Sequence, residues 1–185
     1  SLSGWAPFIA IGLLNNVLPF SLVVIGQTYI PSGLASILNA TTPLFTVVVM
    51  AVAGEEKLSV RRIAGVVAGL IGVIILQGGA FGWESGQGLG ILLCLAAAFS
   101  YGLSALLARR LLSNSPPLGT AAFQLLASAA MMTVVAGAVE RPWQLPMPGA
   151  VTWLAVIGFA ALSTALAYIV FFQILRRSGA TNVML

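Results

Sequence analysis

Asn15, Asn16, Asn39, Thr41, Thr42, Tyr101, Thr164 and Tyr168 are polar side chains set in long stretches that carry no Asp, Glu, Lys or Arg. In such surroundings a polar group either finds a protein partner or lines a wet cavity, so hydrogen bonding to a solute is the chemistry these residues can offer. Asn16, Pro19, Val23 and Gln27 share one face of a helix by their spacing, and the pair Asn15 and Asn16 suits a cavity wall as well as interhelical hydrogen bonds. Gln27, nearer the end of its run, reads as a structural or hydrating group. Pro43 removes a backbone donor and its ring opposes the carbonyl four residues back, which belongs to Asn39. The sequence therefore predicts a kink near mid-span whose freed groups the hydroxyls of Thr41 and Thr42 can satisfy; it is either a static kink or part of a solute site. Tyr101 and Tyr168 each bring an aromatic face and a hydroxyl that wants a partner, and Thr164 shares a face with Tyr168. Ser100, Ser104, Gln124 and Ser128 read first as helix-packing positions.

The same inventory excludes other chemistry. There is no His and no Asp, and Cys94 is the one cysteine. Intramembrane hydrolysis or group transfer needs a histidine, paired acids or a metal cluster, so the chain reads as a non-enzyme with no cofactor and no metal. Nor do the spans offer a proton relay or a fixed charge for a strongly charged substrate. The expected partners are a small-molecule substrate and the lipid bilayer, with no nucleic acid; a homodimer is left open. A non-transporting scaffold is the main alternative to transport, and a membrane-embedded enzyme whose catalytic residues lie outside this stretch is the lesser one.

Of the 185 residues 59% are apolar and 6% charged, and the mean hydropathy is +1.06. This is the composition of a membrane protein. A bilayer core takes about 20 apolar residues per helix, and runs of that size fall at 7–29, 33–53, 63–80, 87–108, 118–138 and 150–175, with a stub at 178–185. Lys57, Arg61, Arg62, Arg109, Arg110, Arg176 and Arg177 occupy every second connection, which makes the loops at 54–62, 109–117 and 176–178 cytoplasmic by the positive-inside rule. A multi-pass protein of a bacterial inner membrane is expected. Trp83, Trp143 and Trp153 near the opposite ends fit an interfacial aromatic belt.

The frame Gln27-x-x-x-x-Ser32-Gly33 recurs as Gln173-x-x-x-x-Ser178-Gly179, and sliding the chain by 146 positions also pairs Ile11 with Ile157 and Gly12 with Gly158. Ile30-Pro31 in the first copy is replaced by Arg176-Arg177 in the second, which places the two turns on opposite sides of the membrane. The copies are inverted, an architecture of secondary transporters with a midplane site between the halves. Gly33 and Gly179 are expected at the ends of tight connections, and Gly65-x-x-x-Gly69 is expected at a close helix contact.

The run from Pro31 through Asn39-Ala-Thr-Thr-Pro43, then Gly54-Glu55 and Gly65-x-x-x-Gly69, resembles the end of the first EamA repeat of the drug/metabolite transporter superfamily. Leu162 to Tyr168 and Ser178 to Asn182 resemble the matching part of the second repeat. The resemblance implies a ten-helix transporter of metabolites or drug-like solutes, amino-acid efflux among them, working by alternating access. It implies that this chain is a fragment holding helices three to eight and the start of nine, with residues 1–80 from the first repeat and 81–185 from the second. Its fold would be an all-α polytopic, inverted-repeat transporter with six complete spans and a partial seventh. In that motif Glu55 braces the turn after the fourth helix.

Overall fold

The computed structural model describes residues 2–56, 60–76, 86–113 and 115–166, and these form helices and turns with no strand. They divide into two compact units, Ser1–Val135 and Ala136–Leu185.

In the first unit, α1 (Leu2–Gly12) passes through a π-helical turn, π1 (Leu13–Val17), into α2 (Leu18–Gly26). The cause is legible at Pro19, the second residue of α2. Proline has no N–H for the Asn15 carbonyl, and its ring crowds that oxygen, so the backbone widens just before it. The Leu18 amide accordingly donates to the Leu13 carbonyl, five residues back.

A second break separates α3 (Ser32–Asn39) from α4 (Thr42–Val52). Pro43 sits in the first turn of α4. The Thr42 hydroxyl donates to the Asn39 carbonyl at 2.6 Å and the Thr41 hydroxyl to the Leu38 carbonyl at 2.6 Å. The carbonyls freed by the break are thus bonded within the chain, as burial demands. At its far end α4 closes with Gly54 at φ +75°. The Gly54 amide bonds the Ala51 carbonyl and the Glu55 amide bonds the Met50 carbonyl, at 3.0 and 2.9 Å. This is a Schellman cap, which needs a left-handed residue at that point.

α5 (Val60–Leu76), α6 (Gln87–Leu112) and α7 (Pro117–Val139) follow. α6 is the packing centre because its buried face is made of small residues, Gly90, Cys94, Ala97, Ala98 and Gly102 among them. A Cβ added to Gly90 would stand 2.9 Å from the Gly26 carbonyl oxygen, and one added to Gly102 would stand 3.1 Å from the backbone of Phe45. Small residues let the backbones of α2 and α4 come this close, which gains dispersion contacts where lipid supplies no hydrophobic drive. Ile30, with Ala35 and Leu38 of α3 and Ile91 and Cys94 of α6, forms a buried core. On α5, Gly69 faces Leu44 so closely that a Cβ would meet its Cδ1 at 2.8 Å, whereas nothing lies within 4 Å of a Cβ on Gly65. Gly33 is the second residue of α3, past the turn, and is likewise open.

The second unit, over its described residues, holds the last turn of α7, a 3-10 turn (Pro142–Gln144), α8 (Ala150–Phe159) and a second π-helical segment, π2 (Ala160–Leu166). Trp143 covers Gly137, with its ring 3.7 Å from a Cβ placed there.

Four helical stretches among the described residues are long and apolar enough to cross a membrane: Gly4–Gly26, Ser32–Val52, Gln87–Leu112 and Leu118–Val139. The further spans expected at 63–80 and 150–175 run past residues 76 and 166, where the description of each stops. Large apolar side chains point outward along the helices, such as Val52, Val134 and Phe159. Their outward-facing surfaces suit acyl chains better than water.

Candidate solute-binding site

A cavity of about 300 Å³ opens in the first unit between α2, α3 and α6, lined by Phe20, Val23, Val24, Gln27, Ala35, Ser36, Asn39 and Tyr101. The break at Ala40 and Thr41 matters here, because it ends α3 at Asn39 and leaves that side chain at the cavity wall. α2 supplies Val23 and Gln27 one turn apart on the same face, and α6 supplies Tyr101 from its middle. The amides of Gln27 and Asn39 and the hydroxyl of Tyr101 have no protein hydrogen-bond partner among the described residues. Each amide can both donate and accept, and the phenol can donate or accept. No lining residue is charged. The arrangement can therefore hold a small polar solute through neutral hydrogen bonds, with Phe20 and the valines against its apolar part.

The other polar positions are placed differently. Asn16 is buried, and its Nδ2 donates to Ser128 Oγ on α7 at 2.7 Å. Asn15 is half-buried, with its Nδ2 at 3.5 Å from Asn16 Oδ1. Ser100 Oγ donates to the Leu14 carbonyl of the π turn at 2.7 Å, while Ser128 Oγ, which donates to the Gln124 carbonyl at 2.8 Å, lies 3.3 Å from the Gly12 carbonyl. Asn16 thus faces a partner on α7, while Val23 and Gln27, further along the same face by spacing, reach the cavity. Thr41 and Thr42 bond the carbonyls at the helix break, and Pro43 is exposed. Thr164 belongs to π2, with its side chain outside the description, and Tyr168, Gly179, Arg176 and Arg177 lie outside the described residues.

Sequence reasoning gave Gln27 a structural or hydrating role, and did not single out Phe20, Val24, Ala35 or Ser36. For Gln27 the signal was its shared face with Val23. The apolar lining had none, since one valine in an apolar helix looks like another.

Charge gathers at one end of the first unit. Arg110 Nε donates to Glu55 Oε1 at 2.8 Å, Arg109 Nη1 to Glu56 Oε1 at 3.2 Å, and Arg110 Nη2 to the Ala53 carbonyl at 3.0 Å. Glu55 thereby ties the capped end of α4 to α6, and residues 53–56 share an end with Arg109 and Arg110.

Four helices of spanning length, joined by small-residue contacts, mark a polytopic membrane protein. Residues 1–77 and 88–185 match the EamA-like transporter family, and the chain belongs to it. It is 25% identical over 183 residues to the uncharacterized transporter YvbV of Bacillus subtilis (strain 168), covering 97% of this chain and 58% of that protein. It is 24% identical to the uncharacterized transporter YoaV of the same organism, covering 95% of this chain and 60% of YoaV. A shorter match, 31% identical over 85 residues, covers 46% of this chain and 28% of a protein of Escherichia coli (strain K12) named "Probable amino-acid metabolite efflux pump". The chain thus spans 58% and 60% of the lengths of its two Bacillus relatives. No solved structure matches.

Proposed function

We propose that this chain is part of a transporter that moves small, polar organic metabolites, amino acids or their derivatives among them, across a bacterial inner membrane. The observation that carries the reading is the cavity where unpaired Gln27, Asn39 and Tyr101 meet beside a broken helix. An uncharged site of about 300 Å³ suits a solute with no net charge, since an unpaired ion there would lose hydration without a counter-charge. Efflux is supported by the name of the Escherichia coli relative.

Alternating access between inverted halves is supported by the recurrence of the π turn. Residues 14–17 in π1 correspond, at an offset of 146, to residues 160–163 in π2. A widened turn at the same point of both copies suits two elements that flex in parallel. The pairing of Glu55 and Glu56 with Arg109 and Arg110 puts two cation-bearing connections at one end, which supports a cytoplasmic assignment for that end.

The test is transport by the full-length protein in proteoliposomes, using radiolabelled neutral amino acids alongside organic cations and anions of similar size. Accumulation or counterflow of neutral or zwitterionic solutes, and none for the ions, is the expected result. No flux for any solute from well-incorporated protein would favour the scaffold alternative, and preference for an ion would remove the uncharged-site argument.

A further inference from the structure

Ile11 and Gly12 stand just before π1, and at the offset of 146 Ile157 and Gly158 stand just before π2. The two pairs have unlike surroundings. Ile11 is 2% exposed, and a Cβ on Gly12 would lie 2.8 Å from Ser128 Oγ and 3.1 Å from the Gln124 carbonyl oxygen, both on α7. Ile157 is 60% exposed, and among the described residues nothing lies within 4 Å of a Cβ on Gly158. Leu162, which takes the position of Asn16 in the second copy, is exposed as well.

A glycine inside a helix lowers helix propensity, and in a membrane protein the loss is offset where another backbone comes close. At Gly12 that backbone belongs to α7. At Gly158 it is not among the described residues. Residues 1–77 and 88–185 each match the family, so α1 belongs to the first copy and α7 and α8 to the second. A twofold operation exchanges the copies, and it turns the contact of α1 with α7 into a contact of α8 with the first copy's counterpart of α7. That counterpart falls 146 positions before α7, upstream of Ser1, and the chain covers only 58% of the length of YvbV.

We infer that the face of α8 and π2 carrying Ile157, Gly158 and Leu162 is the seat of the membrane-spanning helix that precedes Ser1 in the full-length protein. In the first copy the seat is closed by the Asn16–Ser128 hydrogen bond. In the second, Leu162 replaces the asparagine, so the incoming helix needs no hydroxyl and meets Gly158 with small apolar residues. This packing rests on the inverted-repeat part of the transport reading and not on the solute cavity.

The experiment is photocrosslinking in membranes with the full-length protein carrying Leu162→p-benzoylphenylalanine, read by mass spectrometry. A crosslink within one chain, to a peptide upstream of Ser1, is the expected result. A crosslinked dimer would put a second copy on this face, adducts with lipid alone would leave it to the bilayer, and a crosslink to any other segment of the chain would give it a different occupant; each overturns the inference. A second measurement uses Gly158→Leu, whose unfolding midpoint in detergent is expected to fall by several degrees, as that of Gly12→Leu does. An unchanged midpoint at Gly158 beside a loss at Gly12 also overturns it. Transport of neutral solutes without the upstream crosslink removes this packing and leaves the cavity reading standing, whereas the upstream crosslink in a protein that moves no solute does the reverse.

Discussion

Asn16 on π1 and Ser128 on α7, 112 positions apart in sequence, are joined by a hydrogen bond of 2.7 Å, and both side chains are buried. The same serine hydroxyl reaches the Gly12 carbonyl at 3.3 Å, where the π turn begins. The proton of that hydroxyl goes to the Gln124 carbonyl of its own helix at 2.8 Å, so what ties α7 to the widened turn is the bond Ser128 accepts from the Asn16 amide.

Removing that hydroxyl with Ser128→Ala leaves the Asn16 amide buried and short of a partner, at a cost of about 1–3 kcal/mol. The midpoint of thermal unfolding in detergent is expected to fall accordingly, and Asn16→Leu combined with Ser128→Ala is expected to regain part of the loss. Solute affinity should change far less than stability. If Ser128→Ala weakens solute binding as strongly as Asn39→Ala does, the assignment of Asn16 to helix packing is mistaken.

At the cavity the expectation is reversed. Asn39→Ala and Tyr101→Phe each remove a group with no protein partner among the described residues, so the fold should keep its unfolding midpoint nearly unchanged. Each lost solute hydrogen bond is worth about 0.5–1.5 kcal/mol, or roughly a 2- to 10-fold rise in the half-saturating concentration of whichever solute the proteoliposome panel identifies. Phe20→Trp, which adds volume to the lining, should reduce the maximal rate. Unchanged kinetics in all three would mean that solutes bypass this cavity.

Glycines offer a contrast that needs no substrate. At Gly102 a methyl group meets the Phe45 backbone at 3.1 Å, and a backbone cannot swing aside as a side chain can. Gly102→Ala is expected to destabilise by about 1–3 kcal/mol. Gly65 has open space around its Cβ position and lies inside α5, so Gly65→Ala should be neutral, or stabilising by up to about 1 kcal/mol through helix propensity. Yield and unfolding midpoint in detergent would distinguish them, and equal losses at both positions would place a partner on α5 that this unit does not show.

The Glu55 and Arg110 pair is half open to solvent, with side-chain exposures of 26% and 51%. Such pairs are worth at most about 1 kcal/mol and weaken with salt. Glu55→Gln should therefore lower the unfolding midpoint slightly at low ionic strength and hardly at all in molar salt. A large, salt-independent loss would show that Glu55 works through its backbone turn.

Much of this molecule could be read before any coordinates. An apolar run of some 20 residues has to be a helix in lipid, because nothing else bonds every backbone group within the segment. Pro43 after Asn39 announced a break, and Gly54 before Glu55 fits the left-handed residue that the α4 cap requires. Pro19 carried a similar announcement for π1, but the sequence alone does not say whether a proline produces a kink, a π turn or a straight helix.

What stayed hidden was pairing. Gln27 and Asn16 share a helical face by spacing, yet one lines the cavity and the other bonds α7. Gln124 and Ser128 look alike as helix-packing polar residues, yet Ser128 is satisfied while the Gln124 amide nitrogen has no protein partner among the described residues. In a chain that is 59% apolar the outward and inward faces have nearly the same hydrophobicity, so periodicity cannot choose between them as it does in a soluble helix.

By itself, then, the sequence determined the class of protein, its apolar helical stretches and the break before Pro43, because those follow from composition and from the backbone chemistry of proline and glycine. Only the tertiary structure decided which polar groups face each other and which are left to a ligand. That choice depends on how closely α2, α4 and α7 approach their neighbours, a distance set by single glycines such as Gly12, Gly26, Gly90 and Gly102 acting across the fold.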